Sequence, residues 1–458
     1  MARQIKTQLQ TSNNSILDKQ QLQVVFAPIV SIKPNPRNAR THSKKQVGQL
    51  ASSILAFRYL SPVVVDEDNV IINGHGRYLA AQQLGLAEVP VIKLTGLSQT
   101  QKLALALADN KIAANAGWDR EQLAKTLAEL GAPLEDIGLD IEITGFSTAE
   151  ADILLGDLVD PEHEPADDIP ALEQAAVSRR GDVWTLGKHR VLNGDARAEV
   201  DWQALMQGQR GAATITDPPY NVLINSVVGR GKTRHREFAL ASGEMTRSQF
   251  TDFLTSVVRF LVAHTTDGSV HYISMDWRHH QELAAAGRAV YDELLNIVVW
   301  VKSNAGQGSF YRSQHELIFV YRNGTTPHRN NVELGRHGRN RSNVWRYAGV
   351  NTFRAGRMDD LAVHPTVKPV AMVADAIRDC TKRGDIVIDA FMGSGTTILA
   401  AERVGRRAFG IEIDPLYVDV AVRRWQAFTG QDAILEATGQ TFDEVAASRG
   451  EPVARRAS

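Results

Sequence analysis

The sequence predicts a doubly wound α/β domain preceded by a small α+β unit, and three observations lead there. From residue 180 onward, strand-like apolar runs alternate with amphipathic helical stretches. Two short motifs rich in Pro or Gly directly follow such runs, where open α/β sheets hold their ligands. Ahead of both, Pro161, Pro165 and Pro170 stand among Asp and Glu, a linker composition.

The chain has 458 residues and is 43% apolar, enough for two or three cores. Residues 1–23 are polar and expected to be disordered. Strands are expected at 24–30 and 62–65. A helix is expected at 44–57, where Val47, Leu50, Ile54 and Phe57 share one face. A strand at 70–72 runs into Asn73-Gly74-His75-Gly76-Arg77, then a helix at 78–84 and a strand at 89–94. These make a compact α+β domain over 24–97. Residues 98–158 read as a helical connector, regular over 99–130 and broken by Gly131 and Pro133. The acidic linker covers 159–179.

After it, 182–187 and 189–192 form a hairpin turning at Gly187. Strands follow at 213–216, 270–274, 296–301, 316–320, 386–389 and 408–413, with helices at 250–263, 279–289, 370–382 and 396–404. The domain is expected to span 180–430, leaving 431–458 as a tail. No internal repeat is evident.

No apolar run approaches the roughly 18 residues of a membrane span, and the N-terminus is polar, so a soluble cytoplasmic protein is expected. Cys380 is the one cysteine, which excludes intramolecular disulfides and cysteine-built metal sites; it reads as a buried structural thiol. No metal site is expected. The net charge of -1 is unevenly spread. Residues 1–100 hold 11 Lys and Arg against 5 Asp and Glu, whereas 101–180 hold 6 against 17. The ends suit nucleic acid and the middle does not.

The segment Asp389-Ala390-Phe391-Met392-Gly393-Ser394-Gly395-Thr396-Thr397 joins a strand to a helix start. Glycines there let backbone approach a ligand, and the helix start offers N–H groups to an anionic moiety. Glu412 lies about 20 residues on, where an acid can accept from ribose hydroxyls. A phosphate-binding NTPase loop needs Lys before the Ser or Thr, and here Gly395 precedes Thr396 directly. A dinucleotide fingerprint needs a third glycine near Ile398. A tight structural turn is the plain alternative.

Asp217-Pro218-Pro219-Tyr220 follows the strand at 213–216. An aromatic amine is a poor nucleophile because its lone pair is delocalised into the ring. The Asp217 carboxylate and the Pro218 carbonyl can accept both amine hydrogens and draw the lone pair out of the ring plane. Pro218 and Pro219 stiffen the loop, and Tyr220 offers a face for stacking a flipped base. An ordinary Pro-Pro turn is the competing reading.

Taken with Phe391-Met392-Gly393-Ser394-Gly395, this loop resembles the catalytic motif of the DNA amino-methyltransferases, in the group whose catalytic motif precedes the cofactor motif. The resemblance covers about 180–430 and includes Asn193-Gly194-Asp195-Ala196, Met275-Asp276-Trp277-Arg278, Trp300-Val301-Lys302, Phe310-Tyr311-Arg312-Ser313-Gln314-His315-Glu316 and His364-Pro365-Thr366-Val367-Lys368-Pro369. It implies a Rossmann-like methyltransferase sheet and S-adenosylmethionine as cofactor. By it, Gly393, Gly395, Thr396 and Lys368 line the methionine moiety, Glu412 the ribose and Asp195 the adenine, with Asp389 and Phe391 in the same site. Ala390 departs from the Pro common in the family. Asp at 217 rather than Ser tilts the analogy toward adenine N6 over cytosine N4. Carbon methylation of cytosine would need a Pro-Cys nucleophile, which is absent. A protein-glutamine methyltransferase would resemble Asn-Pro-Pro-Tyr in the reverse order.

Between residues 324 and 363 the regular pattern lapses and arginines gather, among them Arg329, Arg336, Arg339, Arg341 and Arg346. The resemblance places target recognition there, with arginine neutralising phosphate and reading guanine in double-stranded DNA. A solvated basic surface is the simpler reading. A basic loop at 229–236 could close over a displaced base. Residues 24–95 resemble the ParB-like N-terminal domain in Asn35-Pro36-Arg37-Asn38-Ala39-Arg40 and Gly74-His75-Gly76-Arg77. That resemblance implies a phosphate site at Gly74, His75 and Arg77 for nucleotide or DNA. The resulting expectation is a site-specific adenine DNA methyltransferase in a restriction-modification setting, homodimers allowed; the alternatives are a cytosine N4 DNA methyltransferase and a ParB-like DNA-binding regulator with a vestigial methylase.

Overall fold

The computed structural model describes residues 23–156, 170, 173, 175–222, 241, 243–303, 305, 310–333, 341–347 and 367–449. The linker core at 159–169, the basic loop at 229–236, Arg336 and Arg339 lie outside them. The described chain divides into two compact units. One runs to Leu123 and includes Leu139–Ser147; the other comprises Ala124–Gly138 and everything from Thr148 on.

In the first unit, β1 (Val24–Pro28), β2 (Val63–Val65), β3 (Ile71–Asn73) and β4 (Glu88–Lys93) form one sheet in the order β1-β4-β2-β3. Helices α1 (Lys44–Phe57), α2 (His75–Gln83) and α3 (Gln99–Ala114) accompany it. Ser43 caps α1 by accepting from the Gln46 N–H at 3.1 Å, a serine N-cap. Phe57, expected on the packed face, is exposed. Helix α2 begins at His75, three residues before the expected start, because Gly74 supplies the left-handed N-cap at φ 100°.

The connector differs from expectation. Gly131 and Pro133 do not break it; both lie inside α4 (Arg120–Asp136), and the interruption falls at 115–119. Packing overrides propensity here, since Gly131 is buried with its missing side chain facing the Arg383 guanidinium. Residues 124–138 and α5 (Thr148–Gly156) belong to the second unit. The reason is a buried ion pair: Arg406 grips Asp152 of α5 through both carboxylate oxygens, at 3.0 and 2.8 Å.

The second unit is built on a ten-stranded mixed sheet. Its elements are β5 (Val183–Leu186), β6 (His189–Asn193), α6 (Glu199–Met206), β7 (Gly211–Thr216), α7 (Arg247–Ala263), β8 (Thr265–Met275), α8 (His280–Val290), β9 (Glu293–Val301), β10 (His315–Arg322), β11 (Val344–Arg346), α9 (Val370–Cys380), β12 (Ile386–Asp389), α10 (Thr396–Arg403), β13 (Arg407–Glu412), α11 (Pro415–Thr429), β14 (Ile434–Leu435) and α12 (Phe442–Arg449). The order is β11-β9-β10-β8-β7-β12-β13-β6-β5-β14. Strands β8, β7, β12, β13 and β6 are parallel, while β10 runs antiparallel between β8 and β9. Apolar residues from both faces form two core clusters, one holding Trp184 and Trp425, the other Trp202 and Phe250.

The chain leaves β7 toward β8 and leaves β12 toward β13, in opposite directions along the sheet. The switch point between β7 and β12 is where a doubly wound sheet opens a crevice. The expected tail is folded through residue 449: β14 pairs with β5, and Phe442 of α12 packs on Trp184 at 5.1 Å. Part of the irregular stretch is also structural, because β11 pairs parallel to β9 and buries Trp345. Cys380 is buried in α9, and burial pushes its thiol up. Among the described residues, no helix is long and apolar enough to cross a membrane.

Candidate active site

The two motifs sit on neighbouring parallel strands, and one side chain ties them together. Asp389, the last residue of β12, accepts from the Thr216 hydroxyl at 2.9 Å and from the Thr397 hydroxyl at 2.6 Å. It also accepts from the Phe391 N–H at 3.1 Å. Both carboxylate oxygens therefore organise the two loops. Burial raises the Asp389 carboxyl to about 6, against the pull of those hydrogen bonds. Beyond β7, Asn221 is held at φ 53°, its side chain accepting from the Gly243 and Met245 N–H groups at 3.1 Å. That fixes the exit of the Asp217–Tyr220 loop.

One cavity lies between these loops. It is lined by Asp217, Pro218, Pro219 and Tyr220, by Phe391, Gly393 and Thr396, and by Asp195, Lys368, Asp389 and Glu412. Gly395 does not line it. At φ 83°, Gly395 caps α10, and a Cβ there would stand 2.7 Å from the Ala421 Cβ of α11. The left-handed backbone and the packing against α11 both call for glycine at this position.

Glu412 ends β13 with its carboxylate in the cavity wall. It accepts from the Gly393 N–H at 2.7 Å and the Asp414 N–H at 2.9 Å. Burial lifts it to about 7, with those two bonds opposing. Asp195 is held by Arg197 through Nε at 3.0 Å and Nη2 at 2.7 Å, which keeps its carboxyl below the usual range.

The Asp217–Tyr220 loop joins a network of charged side chains that sequence reasoning did not assemble. Lys368 Nζ lies 2.5 Å from Asp217 Oδ2 and 3.3 Å from Glu316 Oε2. Lys302 Nζ lies 2.5 Å from Glu316 Oε1. The Tyr220 hydroxyl donates to Asp217 Oδ1 at 2.5 Å. Both ammonium groups approach the buried Trp300 ring, at 4.9 Å for Lys302 and 5.8 Å for Lys368. Thus Lys368, expected near the methionine moiety, directly clamps the Asp217 carboxylate. Burial raises the Asp217 carboxyl; Lys368 opposes that and the Glu316 charge adds to it. A signal for Glu316 existed: alternation along β10 puts it on the face of Ile318 and Val320, where a carboxylate is out of place unless paired.

Of the arginines expected to face DNA, Arg329 and Arg346 are exposed. Arg341 is engaged inside the unit, 3.0 Å from Asp375 and 2.8 Å from Asp379, with its guanidinium over the Trp345 ring. In the first unit, the Arg77 Nη1 donates to the Ser61 carbonyl at 3.0 Å, and His75 Nε2 accepts from the Asn35 N–H at 3.1 Å.

A crevice between parallel strands thus holds an acid-lined cavity, with the Asp217–Tyr220 loop in its wall. Residues 212–423 match the DNA methylase family, 13–111 the ParB N-terminal domain and 121–180 the ParB-methyltransferase HTH domain. The chain thus carries a DNA methylase domain, which spans a little under half of its length, and a ParB-like N-terminal domain. It is 47% identical over 83 residues to the ParB-like nuclease domain-containing protein YnaK of Escherichia coli (strain K12), covering 18% of this chain and 95% of that protein. It is 26% identical over 160 residues to the type II methyltransferase M2.MboI of Moraxella bovis, covering 33% of this chain and 57% of that one, so it spans little more than half that relative's length. Among solved structures, the M1.HpyAVI–SAM complex aligns with a TM-score of 0.36 and 22% identity, over 51% of this chain and 98% of that one.

Proposed function

We propose that the chain transfers a methyl group from S-adenosylmethionine to the exocyclic amine of adenine in double-stranded DNA. The observation that carries this reading is the charge of the cavity. Its lining includes five carboxylates, Asp195, Asp217, Asp389, Glu412 and Asp414, against two cations, Arg197 and Lys368. Such a wall repels phosphate-rich nucleotides and suits a nucleoside bearing cationic sulfonium and ammonium groups. The buried Glu412 carboxylate, satisfied by backbone N–H groups alone in the hydrogen bonds above, fits ribose hydroxyls. The cofactor supplies an electrophilic methyl group on a sulfonium. Glu412, Asp195, Phe391 and Gly393 would hold it.

Asp217 and the Pro218 carbonyl accept the hydrogens of the target amine, and Tyr220 receives the flipped base. Aspartate at 217 is the basis for adenine over cytosine. Exposed Arg329 and Arg346, with Arg336 and Arg339, supply contacts to the DNA backbone. Phe310 and Tyr311, both exposed, precede β10 at the same end of the strands as the catalytic loop, since Ser313 accepts from the Trp277 indole at 3.1 Å just beyond β8. The test is to incubate DNA with the protein and methyl-labelled cofactor and digest the product to nucleosides. Label in N6-methyladenine supports the reading; label in N4-methylcytosine overturns the choice of base, and no label overturns the activity.

For the N-terminal unit we infer a phosphate-bearing ligand at Gly74, His75 and Arg77, supported by the α2 start at Gly74. Arg77→Ala is expected to weaken nucleoside triphosphate binding in calorimetry. Unchanged affinity rejects the site.

A further inference from the structure

The Tyr220 hydroxyl has one hydrogen and two carboxylates within reach: Asp217 Oδ1 at 2.5 Å and Glu316 Oε2 at 3.2 Å. As the structure stands, both oxygens of Asp217 are taken. Tyr220 donates to Oδ1 and Lys368 to Oδ2. A target amine that donates to Asp217 must share an oxygen with one of them, and a donor already 2.5 Å away crowds each oxygen and draws on its charge. Lys368 is the harder to displace, because it also balances the buried Glu316 charge.

Glu316 is built to remain an acceptor. It is buried on β10 opposite Trp300 of β9, and it stands between two lysines. Burial alone would raise its carboxyl, yet Lys368 and Lys302 hold it down to about 2. Tyr220, Lys302 and Lys368 contact it, and the Asp217 carboxylate acts on it through charge.

We propose that Glu316 is a positioning residue: it takes over the hydrogen bond of the Tyr220 hydroxyl when the target amine arrives, and so frees Oδ1 of Asp217 to accept an amine hydrogen. No covalent bond forms or breaks. The hydroxyl turns about its C–O bond, and its hydrogen stays on the tyrosine oxygen. The result is a catalytic carboxylate kept occupied and oriented until a base enters. This inference rests on the methyl-transfer reading.

A double-mutant cycle on the full chain tests it, using single-turnover methyl transfer to DNA and calorimetric affinity for S-adenosylmethionine. E316Q is expected to slow transfer about 10- to 100-fold, the range for losing a charge-assisted hydrogen bond, with cofactor affinity unchanged. In the Y220F background there is no hydroxyl to move, so E316Q/Y220F is expected to run faster than E316Q alone. E316D keeps the charge and is expected to fall between E316Q and the unmodified chain. If E316Q loses cofactor affinity through misfolding, the cycle is read with E316D and E316D/Y220F, where the same rescue is expected. Losses that multiply, or a Glu316 variant as fast as the unmodified chain, overturn the positioning role alone. If the unmodified chain transfers no methyl group to DNA, the functional reading fails and this role falls with it.

Discussion

Lys368 Nζ lies 2.5 Å from Asp217 Oδ2, joining two residues 151 positions apart. The contact makes the residue just before α9 a partner of the loop after β7. Replacing Lys368 by Met leaves the half-buried Asp217 carboxylate without its cation, and desolvation then raises Asp217 further. Because the amine acceptor must be ionised, the acid limb of the pH–rate profile is expected to move to higher pH. Transfer at neutral pH is expected to fall about 100-fold, in the range for losing a preorganised electrostatic contact. A limb that stays in place or moves down would separate Lys368 from Asp217 chemically.

Glu412 gives a second pH signature. Its carboxyl is lifted to about 7 by burial, and hydroxyl donors of a ligand bind the ionised form better. Cofactor affinity is therefore expected to rise with pH through about 7 and level off above it. Glu412→Gln removes the titrating group and is expected to flatten that dependence. Calorimetry at several pH values decides it; a variant that keeps the original slope assigns the titration elsewhere.

Gly395→Ala separates packing from ligand contact. The new Cβ meets Ala421 at 2.7 Å, and the backbone is left-handed at φ 83°. A loss of about 1–3 kcal/mol is expected, read as a lower thermal midpoint. Ala421→Gly in the same chain is expected to recover part of it. Loss of cofactor affinity with an unchanged midpoint would restore a direct role to Gly395.

The two loops were legible in the sequence because strand, turn and helix start are consecutive there, and the Asp217 and Gly393 segments do line one cavity. Glu316 and Lys302 lay in segments that carry the resemblance, but their pairing arises only when β9 and β10 come together and bring Lys302 to Glu316 at 2.5 Å. The packing of Gly395 was hidden for a related reason: its neighbour is Ala421, a tertiary contact no local motif records. The alternation of strands and helices showed the sheet, but β11, β14 and α12 escaped notice, two of them being only two or three residues long. Pro133 misled through propensity, which a packed helix overrides.

Asp152 ties α5 to the second unit. Arg406 is fully buried against it, so Asp152→Ala leaves an uncompensated buried guanidinium. A destabilisation of about 3 kcal/mol is expected in denaturant titration. A fragment starting at residue 171 lacks α5 and is expected to show a similar loss. Unchanged stability in Asp152→Ala would mean that the pair contributes nothing net.

The central claim is that Asp217 acts on the target amine while the carboxylates of the same cavity hold the methyl donor. It is tested most directly by Asp217→Ala, with single-turnover methyl transfer to DNA and S-adenosylmethionine affinity measured on the same preparation. The account predicts transfer reduced below detection with cofactor affinity within about threefold of the unmodified chain, a difference of roughly 0.6 kcal/mol. Transfer that persists in this variant, or cofactor affinity that falls together with transfer, would contradict it.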